Sequence, residues 1–264
     1  MERGSTRARR VLITGAAGLI GSVLTRGLED RYAISGVDRA RRRPKNVMRM
    51  DLAKSKAADG RGYDDVDAVI DLAGIPDVRT PPDAVWKNNI PATMNSLEAA
   101  RRAGVRRYVF ASSNHVTGLY ERDDPYRAVL AGELGGLEAG TLPRLGCDAP
   151  IRPDGPYGVG KALGEAACRF YADEHGLSVI ALRIGTVTRT GEPATTRQLA
   201  TLLTHRDLVQ LVRCSLDAPP ELRFGVFYGV SANTWRIWDI ENARATLGFD
   251  PEDDAERYRD AVGR

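Results

Sequence analysis

Val11-Leu12-Ile13-Thr14-Gly15-Ala16-Ala17-Gly18-Leu19-Ile20-Gly21 is the stretch whose reading decides the fold. Its β-branched and apolar opening, residues 11–13, reads as a buried first strand. Glycines follow at 15, 18 and 21, in the spacing G-x-x-G-x-x-G. An apolar-periodic segment through Leu19, Ile20, Val23, Leu24 and Leu28 then reads as a helix. Strand, glycine turn and helix together open a dinucleotide-binding unit. The glycines allow a tight turn and a close backbone approach to a pyrophosphate, and the helix N-terminus offers free N–H groups to that anion. Glycine turns also occur without a ligand, so a second signal matters. Residues 32–37 read as the next strand, and Asp38 at its end has the spacing of a carboxylate that binds a ribose 2′-hydroxyl.

The chain of 264 residues suits one large α/β domain with at most a small appendage. A net charge of +3 is too small to point to a nucleic-acid partner. The cations cluster instead. Arg3, Arg7, Arg9 and Arg10 suggest a disordered basic leader over residues 1–9, without the apolar core of a signal peptide. Arg39, Arg41, Arg42, Arg43 and Lys45 form a second cluster, read as a solvated loop. No apolar run approaches the roughly 20 residues of a membrane span. Cys147, Cys168 and Cys214 are far apart and lack metal spacing, as do His115, His175 and His205. A reducing, cytoplasmic setting follows as the expectation.

Strands alternate with helices along residues 10–264. Residues 46–50, 66–72, 107–113 and 178–184 read as strands, and residues 83–103 and 156–175 as helices. Gly104 and Gly176 serve as C-terminal stops, and Pro156 stands in a first turn. A helix is also expected near residues 207–214. This pattern predicts an α/β, doubly wound parallel sheet with a small C-terminal substrate-binding portion. Residues 119–155 show no convincing periodicity. They carry glycines but also Leu130, Leu134, Leu137, Leu142 and Leu145. That composition predicts packing over the pocket mouth or against a second subunit, with substrate-binding elements drawn mainly from residues 119–155 and 185–264.

Three features converge at the carboxyl ends of strands, where such sheets bind ligands. They are Ser112-Ser113-Asn114-His115, the helical Tyr157-Gly158-Val159-Gly160-Lys161, and Thr186. Tyr157 and Lys161 are four apart and share a helix face. A free phenol ionises only near pH 10 and is a poor base at neutrality. An ammonium at close range favours the phenolate. With a serine hydroxyl holding the substrate oxygen, the set can remove a hydroxyl proton while a hydride leaves for a nicotinamide.

These residues resemble the extended short-chain dehydrogenases/reductases from Val11 nearly to the end of the chain. Thr14-Gly15-Ala16-Ala17-Gly18-Leu19-Ile20-Gly21 is similar to that family's cofactor turn. Asp38, Asp51-Leu52, Leu72-Ala73-Gly74 and Asn89 stand where the family contacts the adenosine half or braces the sheet. Ser113, Tyr157 and Lys161 match its catalytic set. Within the family the chain most resembles the NAD-dependent uronate dehydrogenases. The resemblance lies in residues 111–118, Arg152-Pro153-Asp154-Gly155-Pro156-Tyr157-Gly158, residues 182–186 and Gly229-Val230-Ser231-Ala232-Asn233.

The resemblance implies NAD as cofactor, bound by Gly15, Gly18, Leu19, Ile20, Asp38, Asp51, Leu52, Leu72, Ala73, Gly74, Asn89, Tyr157, Lys161 and Ile184. It implies substrate contacts from Ser113, Asn114, His115, Tyr157, Thr186 and Arg197, with Arg197 on a sugar carboxylate. Two departures lie beside the substrate pocket: Pro76, where the subgroup tends to have serine, and the long segment 119–155. The expectation is an enzyme that moves a hydride from the anomeric carbon of a hexuronic acid to NAD, giving an aldarolactone. It is a homo-oligomer acting on a small molecule, with no nucleic-acid or membrane partner. A nucleotide-sugar epimerase or dehydratase that retains NAD is the first alternative, and a non-catalytic NAD sensor the second.

Overall fold

The apolar triplet at the start of the quoted stretch is fully buried in the computed structural model, which describes residues 8–54 and 60–262. It forms the heart of β1 (Arg10–Thr14). Val11 and Ile13 face one side of the sheet and Leu12 the other, as strand geometry requires. The glycine turn leads into α1 (Leu19–Leu28) and β2 (Ala33–Asp38), followed by β3 (Val47–Arg49) and β4 (Ala68–Asp71). These last three strands are offset from or shorter than the expected ones: Tyr32, Val66 and Leu72 lie beyond the ladder bonds but still pack into the core.

The helix expected at residues 83–103 is one helical run in three pieces. It opens with α2 (Pro82–Ala84), widens into a π turn at Val85–Asn89, and continues as α3 (Ile90–Arg102). The Ile90 N–H donates to the Val85 carbonyl, five residues back. Pro91 has no N–H to give to the preceding turn, so the ladder shifts by one residue there. Gly104, at φ +70°, ends the run as expected.

Next come β5 (Arg107–Ser113), a 3₁₀ run (Asn114–Arg122), α4 (Tyr126–Ala131), α5 (Pro156–His175) and β6 (Ser178–Ile184). The chain closes with α6 (Thr196–Thr201), α7 (His205–Asp217), β7 (Phe224–Gly229), α8 (Glu241–Leu247) and a 3₁₀ turn (Ala255–Ala261). All seven strands pair in parallel in the order β3-β2-β1-β4-β5-β6-β7. Every residue of β5 and β6 is buried, as a sheet covered on both faces demands. One core joins α1 and α7 to the sheet, and a second joins α3 and α5 to its other face. The chain leaves β1 toward β2 on one side and returns to β4 on the other. The crevice at the carboxyl ends of β1 and β4 is the ligand position of such folds.

Two expectations are revised. Residues 1–7 of the predicted leader lie outside the described residues, but Arg9 belongs to the fold: its guanidinium donates to the Leu216 carbonyl and lies 3.9 Å from Asp217. The leucine-bearing part of segment 119–155 packs on the chain's own C-terminal part rather than over the pocket. Val129, Leu142 and Leu145 join Tyr228, Trp238 and Ile240 in a third apolar cluster, with Leu130, Leu134 and Leu137 against it. The Leu145 N–H donates to the Ile237 carbonyl (2.8 Å), and the Asp239 N–H to the Leu145 carbonyl (3.0 Å).

Candidate active site

The glycine turn is built for close approach. Gly15 takes φ +65°, and a Cβ there would lie 2.9 Å from the Leu72 carbonyl oxygen. At Gly21 a Cβ would lie 2.6 Å from the Gly15 oxygen, so the first turn of α1 closes directly onto the loop. At Gly18 a Cβ would lie 3.2 Å from the Gly15 oxygen, its one near neighbour, and the residue lines a cavity of about 480 Å³. Leu19 and Ile20 line the same cavity, with Leu72 and Gly74 after β4 and Ile184 at the end of β6. A smaller hollow of about 80 Å³ adjoins it, bounded by Asp51, Leu52 and Ala73, with Asp38 common to both.

Asp38 ends β2. Its Oδ2 accepts from the Ala17 N–H (2.9 Å) and its Oδ1 from the Ala40 N–H (2.7 Å), which braces the glycine turn. Each oxygen keeps a lone pair for a ribose hydroxyl. Among the nearby arginines, Arg39 shares the hollow and donates to Asn88 (3.2 Å), whereas Arg43 turns back onto the carbonyl of Val47. Asn89 lies behind the wall of the cavity. Its amide accepts from the Ile75 N–H (2.9 Å) and donates to the Ile75 carbonyl (3.1 Å), so it shapes the loop rather than lining the cavity. The open glycine edge, the helix N-terminus and the Asp38 carboxylate fit the diphosphate and adenosine ribose of a dinucleotide.

Ser113, Tyr157 and Lys161 meet at the other end of the 480 Å³ cavity. Tyr157 and Lys161 are each only 9% exposed. The Lys161 Nζ donates to the Ala111 carbonyl (2.5 Å) and lies 5.8 Å from the centre of the Tyr157 ring. A fixed ammonium at that range acts on the phenol electrostatically. Beneath them Asp71, absent from the sequence expectations, is fully buried. It accepts from Thr14 Oγ1 (2.5 Å) and the Tyr108 hydroxyl (2.8 Å). Burial pushes its carboxyl above the usual carboxylate range, against the pull of those hydrogen bonds and of Lys161.

Asn114, His115, Thr186 and Pro76 line the same cavity as Ser113. His115 sets its ring edge-on to Tyr157, centroids 5.9 Å apart, and its Nδ1 lies 2.6 Å from Asp154. Thr186 Oγ1 is 2.8 Å from Thr201 Oγ1 and accepts from Arg197 Nη1 (3.3 Å). Arg197 stands one layer back from the cavity wall, where Glu121 holds it through Nε (2.7 Å) and Nη2 (2.6 Å). Burial alone would lower the proton affinity of Arg197, but Glu121 and, more weakly, Asp154 raise it on balance. Glu121 is 76 residues from its partner, a separation that no local pattern in the sequence reports. Among the described residues no group of His, Cys, Asp and Glu could hold a metal ion. No helix there is long and apolar enough to cross a membrane.

Residues 11–209 match the family model described as the NAD dependent epimerase/dehydratase family. An NAD-dependent glucose-6-phosphate dehydrogenase of Haloferax volcanii is 35% identical over 94% of this chain and 95% of its own length. A uronate dehydrogenase of Pseudomonas putida is 35% identical over 98% of this chain and 89% of its own. A mutant uronate dehydrogenase from Agrobacterium tumefaciens, solved in complex with NAD, superposes with a TM-score of 0.80 at 34% identity. The match covers 96% of this chain and 88% of that one. With the cofactor crevice and the serine, tyrosine and lysine already in place, the chain belongs to the NAD-dependent epimerase/dehydratase family of extended short-chain dehydrogenases/reductases and is an NAD-dependent dehydrogenase of that type.

Proposed function

We propose that the protein oxidises the anomeric carbon of a hexuronic acid to an aldarolactone. The observation that carries this reading is the meeting of Ser113, Tyr157 and Lys161 in one cavity with the glycine turn. The kinship with uronate dehydrogenases over nearly the whole chain supports the substrate class. NAD, when bound, supplies the hydride acceptor. Gly15, Gly18, Leu19 and Ile20 hold its diphosphate, Asp38 its adenosine ribose, and Lys161 its nicotinamide ribose. Ser113 Oγ holds the anomeric oxygen. Tyr157 removes the proton from that hydroxyl, and Lys161 stabilises the phenolate that does so. As the anomeric hydrogen departs with its electron pair, the hydroxyl oxygen becomes a carbonyl. The ring oxygen stays attached, so the product is a lactone. Asn114, His115 and Thr186 orient the sugar, with Arg197 behind them as the cation for its carboxylate.

A homo-oligomer is part of the same proposal. Trp86, Met94, Val159, Leu163 and Phe170 are exposed apolar residues on the adjoining helical runs that end in α3 and α5. A second copy of the chain is the occupant proposed for that face. The three unpaired cysteines support a reducing cytoplasm, and the small net charge supports the lack of a nucleic-acid partner.

The test is a screen of uronic acids and aldoses with NAD, read as NADH absorbance, with the product identified as a lactone. NADH formation from a hexuronic acid is the expected result. Failure of every uronic acid overturns the substrate assignment. Tightly retained NAD with no net NADH formation overturns it in favour of an epimerase or dehydratase.

A further inference from the structure

The chain supplies its own carboxylate to the cation that would bind a uronate. Glu121 meets Arg197 two-pronged, with Oε2 2.7 Å from Nε and Oε1 2.6 Å from Nη2. A guanidinium has five N–H donors in a fixed fork. Two serve Glu121. With its amide oriented to satisfy both neighbours, Asn114 donates to the Ile184 carbonyl (3.0 Å) and accepts from Arg197 Nη2 (3.0 Å). Thr186 takes a fourth donor, through Nη1 at 3.3 Å. One N–H on Nη1 is left over. A paired grip on a sugar carboxylate, the geometry that makes arginine effective for that task, is therefore closed while Glu121 is in place.

Charge points the same way. Arg197 and Glu121 cancel, and Asp154, next to His115, adds a further carboxylate to the neighbourhood. With one guanidinium against two carboxylates, an arriving anion meets no net positive charge among these groups. The Glu121 side chain is 15% exposed, so exchanging it for a sugar carboxylate means moving one buried anion out as another enters. An uncharged sugar requires no such exchange. Its hydroxyls can use Asn114 and Thr186, which line the cavity, with Glu121 left in place.

We propose that Glu121 is a specificity-determining residue. It occupies Arg197 as an internal surrogate for a substrate carboxylate, and so weakens the hold on hexuronates relative to neutral aldoses. Glu121 acts through Arg197 and needs no contact with the sugar. The proposal rests on Arg197 being the carboxylate anchor of the reading above.

The experiment titrates D-glucuronate and D-glucose into the complex of the full protein with NADH, followed by nicotinamide fluorescence. In Glu121→Gln the affinity ratio of glucuronate to glucose rises about tenfold or more, as expected for releasing a buried cation from its partner. In turnover the gain lies in the KM for glucuronate rather than in kcat. The double variant Glu121→Gln/Arg197→Ala loses the gain. An unchanged or lower ratio in Glu121→Gln, or a gain that survives removal of Arg197, overturns the proposal. Glu121→Ala carries the same expectation and decides the matter if Glu121→Gln does not unfold cooperatively. Absence of NADH formation from glucuronate in both wild type and Glu121→Gln overturns the uronate reading, while the binding ratio still decides the role of Glu121.

Discussion

Arg183 on β6 and Glu165 on α5 form a buried two-pronged ion pair, with both N–O distances 2.9 Å. Their side chains are 3% and 10% exposed. Ser112 Oγ on β5 donates to the same carboxylate at 2.5 Å. Two central strands are thereby fixed to the helix that carries Tyr157 and Lys161, one turn beyond the lysine. A buried charge left without its partner is costly, on the scale of about 3–5 kcal/mol. Glu165→Gln is expected to lose that much in urea unfolding, with a fall in kcat as α5 loosens. A loss under about 1 kcal/mol, the range of ordinary surface changes, contradicts a holding role for the pair.

Tyr157→Phe keeps the ring and removes the phenol. Turnover is expected to fall by about two to four orders of magnitude, the usual worth of a positioned acid–base group. NAD affinity, measured by titration, is expected to change little, because the diphosphate and adenosine contacts proposed above lie with the glycine turn, which lines the same cavity. Turnover close to wild type in this variant rules out Tyr157 as the base.

Asp38 is expected to set the preference for NAD over NADP. Its carboxylate would face a 2′-phosphate with like charge, while Arg39 already lines the same hollow. Asp38→Ala also releases the N–H groups of Ala17 and Ala40, so affinity for both cofactors drops. The ratio of kcat/KM values is the informative quantity. It should move toward NADP by about two orders of magnitude, the scale of a like-charge clash of a few kcal/mol. A wild-type enzyme that favours NADP, or an unchanged ratio in the variant, refutes the role of Asp38.

The cofactor half was legible because its signals are local. A buried triplet, a glycine spacing and a carboxylate at the next strand end lie within 28 residues, Val11 to Asp38, and the structure keeps them together. Ser113, Tyr157 and Lys161 were legible for a related reason: each sits at the end of a strand or on one helix face. What escaped depends on contacts between distant segments. The Arg197–Glu121 and Arg183–Glu165 pairs, and the buried Asp71 beneath Lys161, are products of the assembled sheet. The π turn at Val85–Asn89 escaped because the apolar spacing over residues 83–103 reports a helical period but not a one-residue widening of its ladder. Leucines in segment 119–155 announced packing, expected over the pocket mouth or against a second subunit, and nothing in their spacing named Trp238 and Tyr228 as the partners.

Replacement of residues 123–147 by a short Gly-Ser linker separates two roles for that segment. A lid would change substrate preference and leave the fold intact. The observed packing predicts a different outcome. Val129, Leu142 and Leu145 are 4–7% exposed and cover Trp238 and Tyr228, both fully buried. Removing them uncovers two large aromatic side chains that stack 5.7 Å apart. At about 1.5–3 kcal/mol for each large apolar side chain returned to water, the two together cost roughly 3–6 kcal/mol, a large part of the ~5–15 kcal/mol that keeps a typical domain folded. The Tyr228 hydroxyl is 2.8 Å from Thr117 Oγ1, in the 3₁₀ run that follows Ser113. Disorder at this cluster thus reaches the strand end that carries Ser113. The expected result is a lowered melting temperature with kcat reduced for every sugar alike. A stable variant with wild-type melting and an altered substrate profile would restore the lid.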